Sequence, residues 1–163
     1  GQIKTKHSID ILMENMGRVN YGHKFLADTQ RKGIRTGVCK DLHFMLDWQH
    51  YCLTLDQPEK IDFSKEWYPG HPAFYAFDFN LEMKALKDTY LDLTDFGKGV
   101  AFVNGVNIGR FWNVGPTLSL YIPHGLLQEG ANRIIIFETE GEFKDSIHLV
   151  NQPTFKNIKG ENL

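Results

Sequence analysis

A chain of 163 residues with 42% hydrophobic content can bury one ordinary core and is too apolar to remain disordered. Eighteen basic against twenty acidic residues give a formal charge of -2, and no basic cluster exceeds Arg31-Lys32, so the electrostatic footprint of a nucleic-acid binder is missing. The longest apolar run, Ile134-Ile135-Ile136-Phe137, falls far short of the roughly 18 residues that span a bilayer, so neither nucleic acid nor membrane is an expected partner. Gly1 stands where an initiating Met would, and no signal-peptide pattern follows, so the sequence reads as a portion of a longer polypeptide.

In chain order, Ile9, Ile11 and Met13 alternate with Asp10, Leu12 and Glu14, a two-residue period that predicts a strand. Cys39 and Cys52 are the only cysteines. Widely spaced in a chain able to form a core, they read as free thiols packed as small buried hydrophobes, which fits a reducing, cytoplasmic compartment. The aromatic-rich stretch from Leu42 to Leu55 predicts further strands. Between Leu55 and Pro72 the composition turns to Asp, Lys, Glu and Pro, and Pro58, Pro69 and Pro72 cannot sit inside a central strand. This stretch divides the chain into a first β segment at 1–57, a connector at 58–72, a more complete β unit at 73–150, and a polar tail at 151–163 expected to fray.

Ala73 to Leu81 (AFYAFDFNL) has the pattern of a half-buried strand. Leu81 to Leu86 is the best helix candidate, and Pro123 to Leu127 suits a single turn. Gly97-Lys98-Gly99 reads as a turn, and Ala101 to Ile108 as strand around the two-residue hairpin signal Asn104-Gly105. Gly and Asn recur at short intervals, a rhythm that belongs to an all-β antiparallel sandwich.

Two constellations admit a functional reading. In Val103 to Trp112 (VNGVNIGRFW), Phe111 and Trp112 suit large core anchors, while Arg110 and Trp112 would alternatively face a partner domain or a sugar. In Glu14 to Gly22 (ENMGRVNYG), polar groups crowd a Gly-bracketed turn after a strand, where recognition concentrates; the plainer account is a Glu14–Arg18 ion pair with Tyr21 covering the sheet end. Glu138 and Glu140 share one face of a strand about 6.6 Å apart, close to the pair of carboxyls about 5–5.5 Å apart that a retaining glycosidase needs. Beside a Gly turn, they read as ordinary solvated glutamates. The seven histidines show no tight metal-ligand spacing, and neither a nucleophile elbow nor a phosphate-binding loop is present, so no metal site and no catalytic residue is expected.

Taken together and in order, Glu14 to Gly22, Arg31-Lys32-Gly33-Ile34, Asp47-Trp48, Asp95 to Trp112, Gly115 to Pro123 and Phe137-Glu138 resemble the C-terminal β-domains of glycoside hydrolase family 35 β-galactosidases, over about Ile9 to Val150. The resemblance implies a jelly-roll sandwich of about eight strands, akin to galactose-binding modules. Its implied role is to buttress an N-terminal catalytic (β/α)₈ barrel of the same polypeptide, which carries both catalytic glutamates. It implies no cofactor, and for the parent enzyme retaining hydrolysis of terminal β-D-galactosyl residues. By the same resemblance Tyr21 approaches the barrel mouth and lines the galactoside pocket, with Arg18 and Asn20 as its supports. Two positions depart from the family pattern: Phe111 stands where Tyr is usual, and Phe96 where Trp is common. A rival expectation is an autonomous module that captures β-galactosides on exposed platforms at Trp48, Trp67, Tyr68 or Trp112.

Overall fold

The computed structural model describes residues 9–14, 33–65, 68–142 and 144–157. The chain forms two compact units, Gly1–Leu53 and Thr54–Leu163. Among the described residues regular structure is strand or single-turn 3₁₀ helix, all sheet pairing is antiparallel, and no helix is long and apolar enough to cross a membrane.

In the first unit, β1 (Cys39–Lys40) and β2 (His43–Phe44) form a small hairpin. Asp41 and Leu42 turn it at φ 50° and 66°, the paired left-handed conformation that matches strand twist. The strand expected over Ile9 to Met13 is absent: these residues are irregular. Ile9, Ile11, Leu12 and Met13 are all 44–46% exposed, so neither alternate set is buried, and burial of one set is what gives a two-residue period its meaning. The strands expected from Leu42 to Leu55 shrink to β2. Asp47 and Leu55 take left-handed φ of 60° and 56°, and the Trp48 indole Nε1 donates to the Met45 carbonyl at 2.8 Å, closing a local turn. Cys39 and Cys52 are free as expected, but exposed rather than buried.

The second unit follows the sequence closely. It contains β3 (Ala73–Leu81), β4 (Thr89–Asp92), β5 (Lys98–Val103), β6 (Val106–Trp112), β7 (Ser119–Ile122), β8 (Gly130–Glu138) and β9 (His148–Val150). These make a four-stranded sheet ordered β3-β8-β5-β6 and a three-stranded sheet ordered β7-β4-β9. One core lies between them. Tyr75, Ala101, Val103, Phe111, Ile134 and Ile136 from the larger sheet meet Leu91 and Ile122 from the smaller, with Leu93, Phe96 and Leu127 from the connections. Burying one such side chain stabilises a fold by roughly 1.5–3 kcal/mol, so this layer outweighs any surface contact. Phe96 meets Phe111 edge-on, centroids 6.1 Å apart. Phe96 and Phe111 therefore both sit in the core, and neither side chain carries a polar atom that burial would leave unpaired.

Asn104 and Gly105, at φ 48° and 83°, close the β5–β6 hairpin where the Asn-Gly signal put it. The helix candidate at Leu81 to Leu86 reduces to a 3₁₀ turn, Met83–Ala85, and the turn expected after Pro123 is His124–Leu126. Gly97-Lys98-Gly99 is not a turn. The chain reverses before it, and Lys98 and Gly99 already belong to β5. Glycine is required there by crowding: a methyl on Gly99 would collide with the Phe137 carbonyl oxygen of the neighbouring strand. Nor does the tail fray over its described part, 151–157; residues 158–163 lie outside the described residues. Leu118 N donates to Thr154 O at 2.8 Å, Thr154 N to Ser119 Oγ at 2.9 Å, and Lys156 N to Pro116 O at 2.8 Å, so backbone pairing holds the polar segment that composition assigned to solvent.

Pro58 lies within the second unit and is fully buried, and Gly141 packs directly on Gly70, so the 58–72 segment contains packed residues near both of its ends.

Candidate functional site

Arg110 and Trp112 flank Phe111 on β6. Because Phe111 points into the core, its two neighbours face out from the four-stranded sheet. Trp112 is 44% exposed and pairs across the strands with Lys98, whose ammonium lies 5.2 Å from the ring centroid. A desolvated contact of this type is worth up to about 2 kcal/mol, and an exposed one less than half that. Val100 lies opposite Arg110, and Phe137 opposite Val100; Phe74 and Phe137 stack at 4.3 Å on the same outer face. Of the two readings for this motif, Phe111 takes the core role, and the outward face carries Arg110 and Trp112.

Trp48 lies in the first unit, half-buried, with its indole N–H committed to the Met45 carbonyl. Tyr68 is exposed and meets His71 edge-on. Arg18, Asn20, Tyr21 and Trp67 lie outside the described residues.

The Glu138–Glu140 pair turns out differently from the solvated glutamates expected. Glu140 is exposed, but Glu138 is 0% exposed. Its Oε2 accepts backbone N–H groups of Glu140 at 3.1 Å, Gly141 at 2.6 Å and Glu142 at 2.9 Å, while Oε1 accepts Lys98 N at 3.2 Å and Glu140 N at 3.1 Å. A buried carboxylate is tolerable only when its lone pairs are satisfied in this way. The arrangement pins the turn after β8 to the first residue of β5 and leaves no oxygen for a substrate. Among the described residues no group of three or more His, Cys, Asp or Glu gathers to hold a metal.

One polar cluster went unread in the sequence. On the outer face of the smaller sheet, Tyr90 and Tyr121 lie directly opposite each other, ring centroids 5.5 Å apart. Asp88 accepts the His124 backbone N–H at 3.0 Å, the Tyr121 hydroxyl, and His124 Nδ1 at 3.2 Å. These donors hold the Asp88 carboxyl below the usual carboxylate range, the His124 backbone first and the Tyr121 hydroxyl second, and donation to Asp88 raises the Tyr121 hydroxyl. No local motif announces the cluster, because its two halves, Asp88 with Tyr90 and Tyr121 with His124, stand more than thirty residues apart and the β4–β7 pairing assembles it.

With this geometry in place, comparison with known proteins gives a consistent result. Residues 1–54 match the family model of the β-galactosidase first all-beta domain, and residues 72–132 that of the β-galactosidase galactose-binding domain. The chain is 37% identical over 155 residues to beta-galactosidase 17 of Arabidopsis thaliana, covering 83% of the chain and 22% of that protein. It is 39% identical over 159 residues to beta-galactosidase 1 of Dictyostelium discoideum, covering 91% and 23%. Against the beta-galactosidase of Xanthomonas manihotis it is 40% identical over 117 residues, covering 72% and 19%. The chain thus spans about a fifth of the length of these relatives. It belongs to the β-galactosidase family and corresponds to non-catalytic portions of it, the first all-beta domain followed by the galactose-binding domain.

Proposed function

We propose that this chain is the supporting β portion of a family 35 β-galactosidase, buttressing an N-terminal catalytic barrel of the same polypeptide that hydrolyses terminal β-D-galactosyl residues with retention. The observation that carries the reading is the commitment of Glu138. The carboxylate best placed by sequence to mimic half of a retaining pair is sealed inside the fold by backbone donors, so its work is to hold a turn. The outward face of β6, with Arg110 and Trp112, supplies the cationic and aromatic side chains that interfaces favour. In this reading Tyr21, supported by Arg18 and Asn20, lines the galactoside pocket and is this chain's contribution to substrate binding.

The test is made on residues 1–163 alone. Under this proposal the chain releases no nitrophenol from an aryl β-galactoside, and titration with galactose or lactose leaves its Trp fluorescence and amide shifts unchanged to high millimolar. Turnover by a preparation free of host enzyme overturns the proposal in favour of a self-sufficient hydrolase. Saturable shifts localised at Trp48, Tyr68 or Trp112 overturn it in favour of an autonomous sugar-binding module.

A further inference from the structure

The two sheets of the second unit differ in width, and among the described residues the difference leaves one side of the sandwich open. On one side β6 packs against β7 and closes the layer. On the other, among the described residues, β3 pairs with β8 alone and β9 with β4 alone, so both sheets end there. Between these edges lies a cleft of about 430 Å³ lined by Ala76, Phe77, Asp78, Phe79, Ile147 and Leu149. Phe77, Phe79, Ile147 and Leu149 lie half-buried against the core, and the cleft exposes their remaining surface.

The β3 edge lacks the devices that protect a terminal strand. It runs nine residues and contains no Pro or Lys. Its one charge, Asp78, is taken by the strand behind it: Arg133 Nε reaches Asp78 Oδ1 at 2.6 Å and Arg133 Nη2 reaches Oδ2 at 2.7 Å. A long edge with its charge neutralised and aromatic side chains beside it is built for another strand.

We propose that β3 takes an eighth strand, an extended segment of the same polypeptide lying outside residues 1–163, whose apolar side chains fill the cleft between Phe77 and Phe79 on one side and Ile147 and Leu149 on the other. This rests on the reading of the chain as part of a longer β-galactosidase. The relatives are more than four times the length of the segment they share with it, so a donor strand has ample chain to come from. Covalent attachment presents that strand at an effective concentration on the order of millimolar, which a second copy of the protein does not match. The added strand also brings the seven strands seen here to the eight expected of the jelly-roll.

The test uses the full-length enzyme at a concentration where sedimentation shows it monomeric. Hydrogen exchange of the 73–81 amides is compared with that of the central strand β8, and a photo-reactive benzoyl-phenylalanine replaces Phe79 or, in a second variant, Leu149. A docked strand protects every β3 amide about as well as those of β8, whereas an open edge leaves alternate amides exchanging on the order of 100-fold faster. The expected cross-link joins the probe to a peptide outside residues 1–163. Rapid alternate exchange, a cross-link within residues 1–163, or one to a second molecule overturns the proposal. Failure of the underlying reading shows separately, as a full-length polypeptide without β-galactosidase activity.

Discussion

Gly97, just before β5, and Glu138, at the end of the neighbouring strand β8, are matched to each other: a methyl group at position 97 would stand 2.7 Å from Glu138 Oε1 and 2.8 Å from Glu140 Oε2. The absence of a side chain at 97 is what lets the buried carboxylate reach the backbone of Lys98 while it gathers the N–H groups of residues 140–142. Gly97→Ala should therefore cost about 1–3 kcal/mol through displacement of one or both carboxylates. Glu138→Gln keeps the shape but points an amide NH₂ at backbone N–H donors, and should cost about 2–4 kcal/mol. Denaturant midpoints at unchanged slope measure both. A Glu138→Gln protein as stable as the parent would mean that the carboxylate does not anchor the turn.

Such a nest could not be read in advance. Phe137-Glu138 is visible as the end of an apolar strand, but nothing near it says that residues 140–142 curl back over the side chain. What was legible followed from local chemistry. β3 begins and ends where AFYAFDFNL does, and Asn104-Gly105 turns the chain because both residues accept positive φ. The first unit was misread for the converse reason: Ile9 to Met13 and Leu42 to Leu55 carry the period and composition of strands, yet strands exist only where a neighbour takes up their backbone and buries one face. Of the candidate site, the outward direction of Arg110 and Trp112 follows from alternation once Phe111 is in the core. The Asp88–Tyr121 contact depends on strand pairing and was invisible.

That contact gives stability a dependence on pH at both ends of the range. The folded state holds the Asp88 carboxyl below its ordinary value of 3.8 and the Tyr121 hydroxyl above its ordinary 10.0. A depressed carboxyl contributes stability that is present above the unfolded value and lost as pH falls through the folded one, so the acid limb lies below about pH 4. A raised hydroxyl contributes stability that is present below the unfolded value and lost as pH rises through the folded one, so the alkaline limb lies above about pH 10. Asp78, lowered by its Arg133 hydrogen bonds, adds to the acid limb. Tyr121→Phe should flatten the alkaline limb of the Tm–pH profile and move the NMR titration of the Asp88 carboxyl toward its ordinary value. An unshifted Asp88 titration in that variant would show that the hydroxyl is not its partner.

At the other end of the β5–β6 hairpin, Asn104 is used twice. Its backbone supplies the positive φ of the turn, and its side chain fastens the turn to the β8 region: Nδ2 donates to Leu126 O at 2.8 Å and to Asn132 Oδ1 at 2.9 Å, and Oδ1 accepts Arg133 N at 2.9 Å. Asn132 is itself buried and spends its amide on Gln128 and Gly130. Asn104→Gly keeps the turn and loses the fastening, at about 1–2 kcal/mol; Asn104→Asp keeps the shape but sets a carboxylate against two acceptors, and should cost about 2–3 kcal/mol at neutral pH. Thermal unfolding of the two variants ranks them. Stability equal to the parent's in both variants would mean that the side-chain bonds, and with them the asparagine, add nothing beyond backbone conformation.

The remaining prediction concerns the part of the chain that would meet substrate. If Tyr21 reaches the barrel mouth, a phenol there offers a galactosyl unit both a ring face and a hydroxyl, and Tyr21→Ala in the full-length enzyme removes both. Losing one hydrogen bond and a ring contact amounts to about 1.5 kcal/mol, or roughly a ten-fold rise in KM with kcat little changed, since the proposed function places the reacting carboxylates outside this chain. Tyr21→Phe should recover the part due to the ring. A thermal transition of the full-length variant that stays where the parent's lies separates loss of a contact from loss of structure. Unchanged kinetics for Tyr21→Ala would remove substrate contact from this chain and leave its contribution entirely to support.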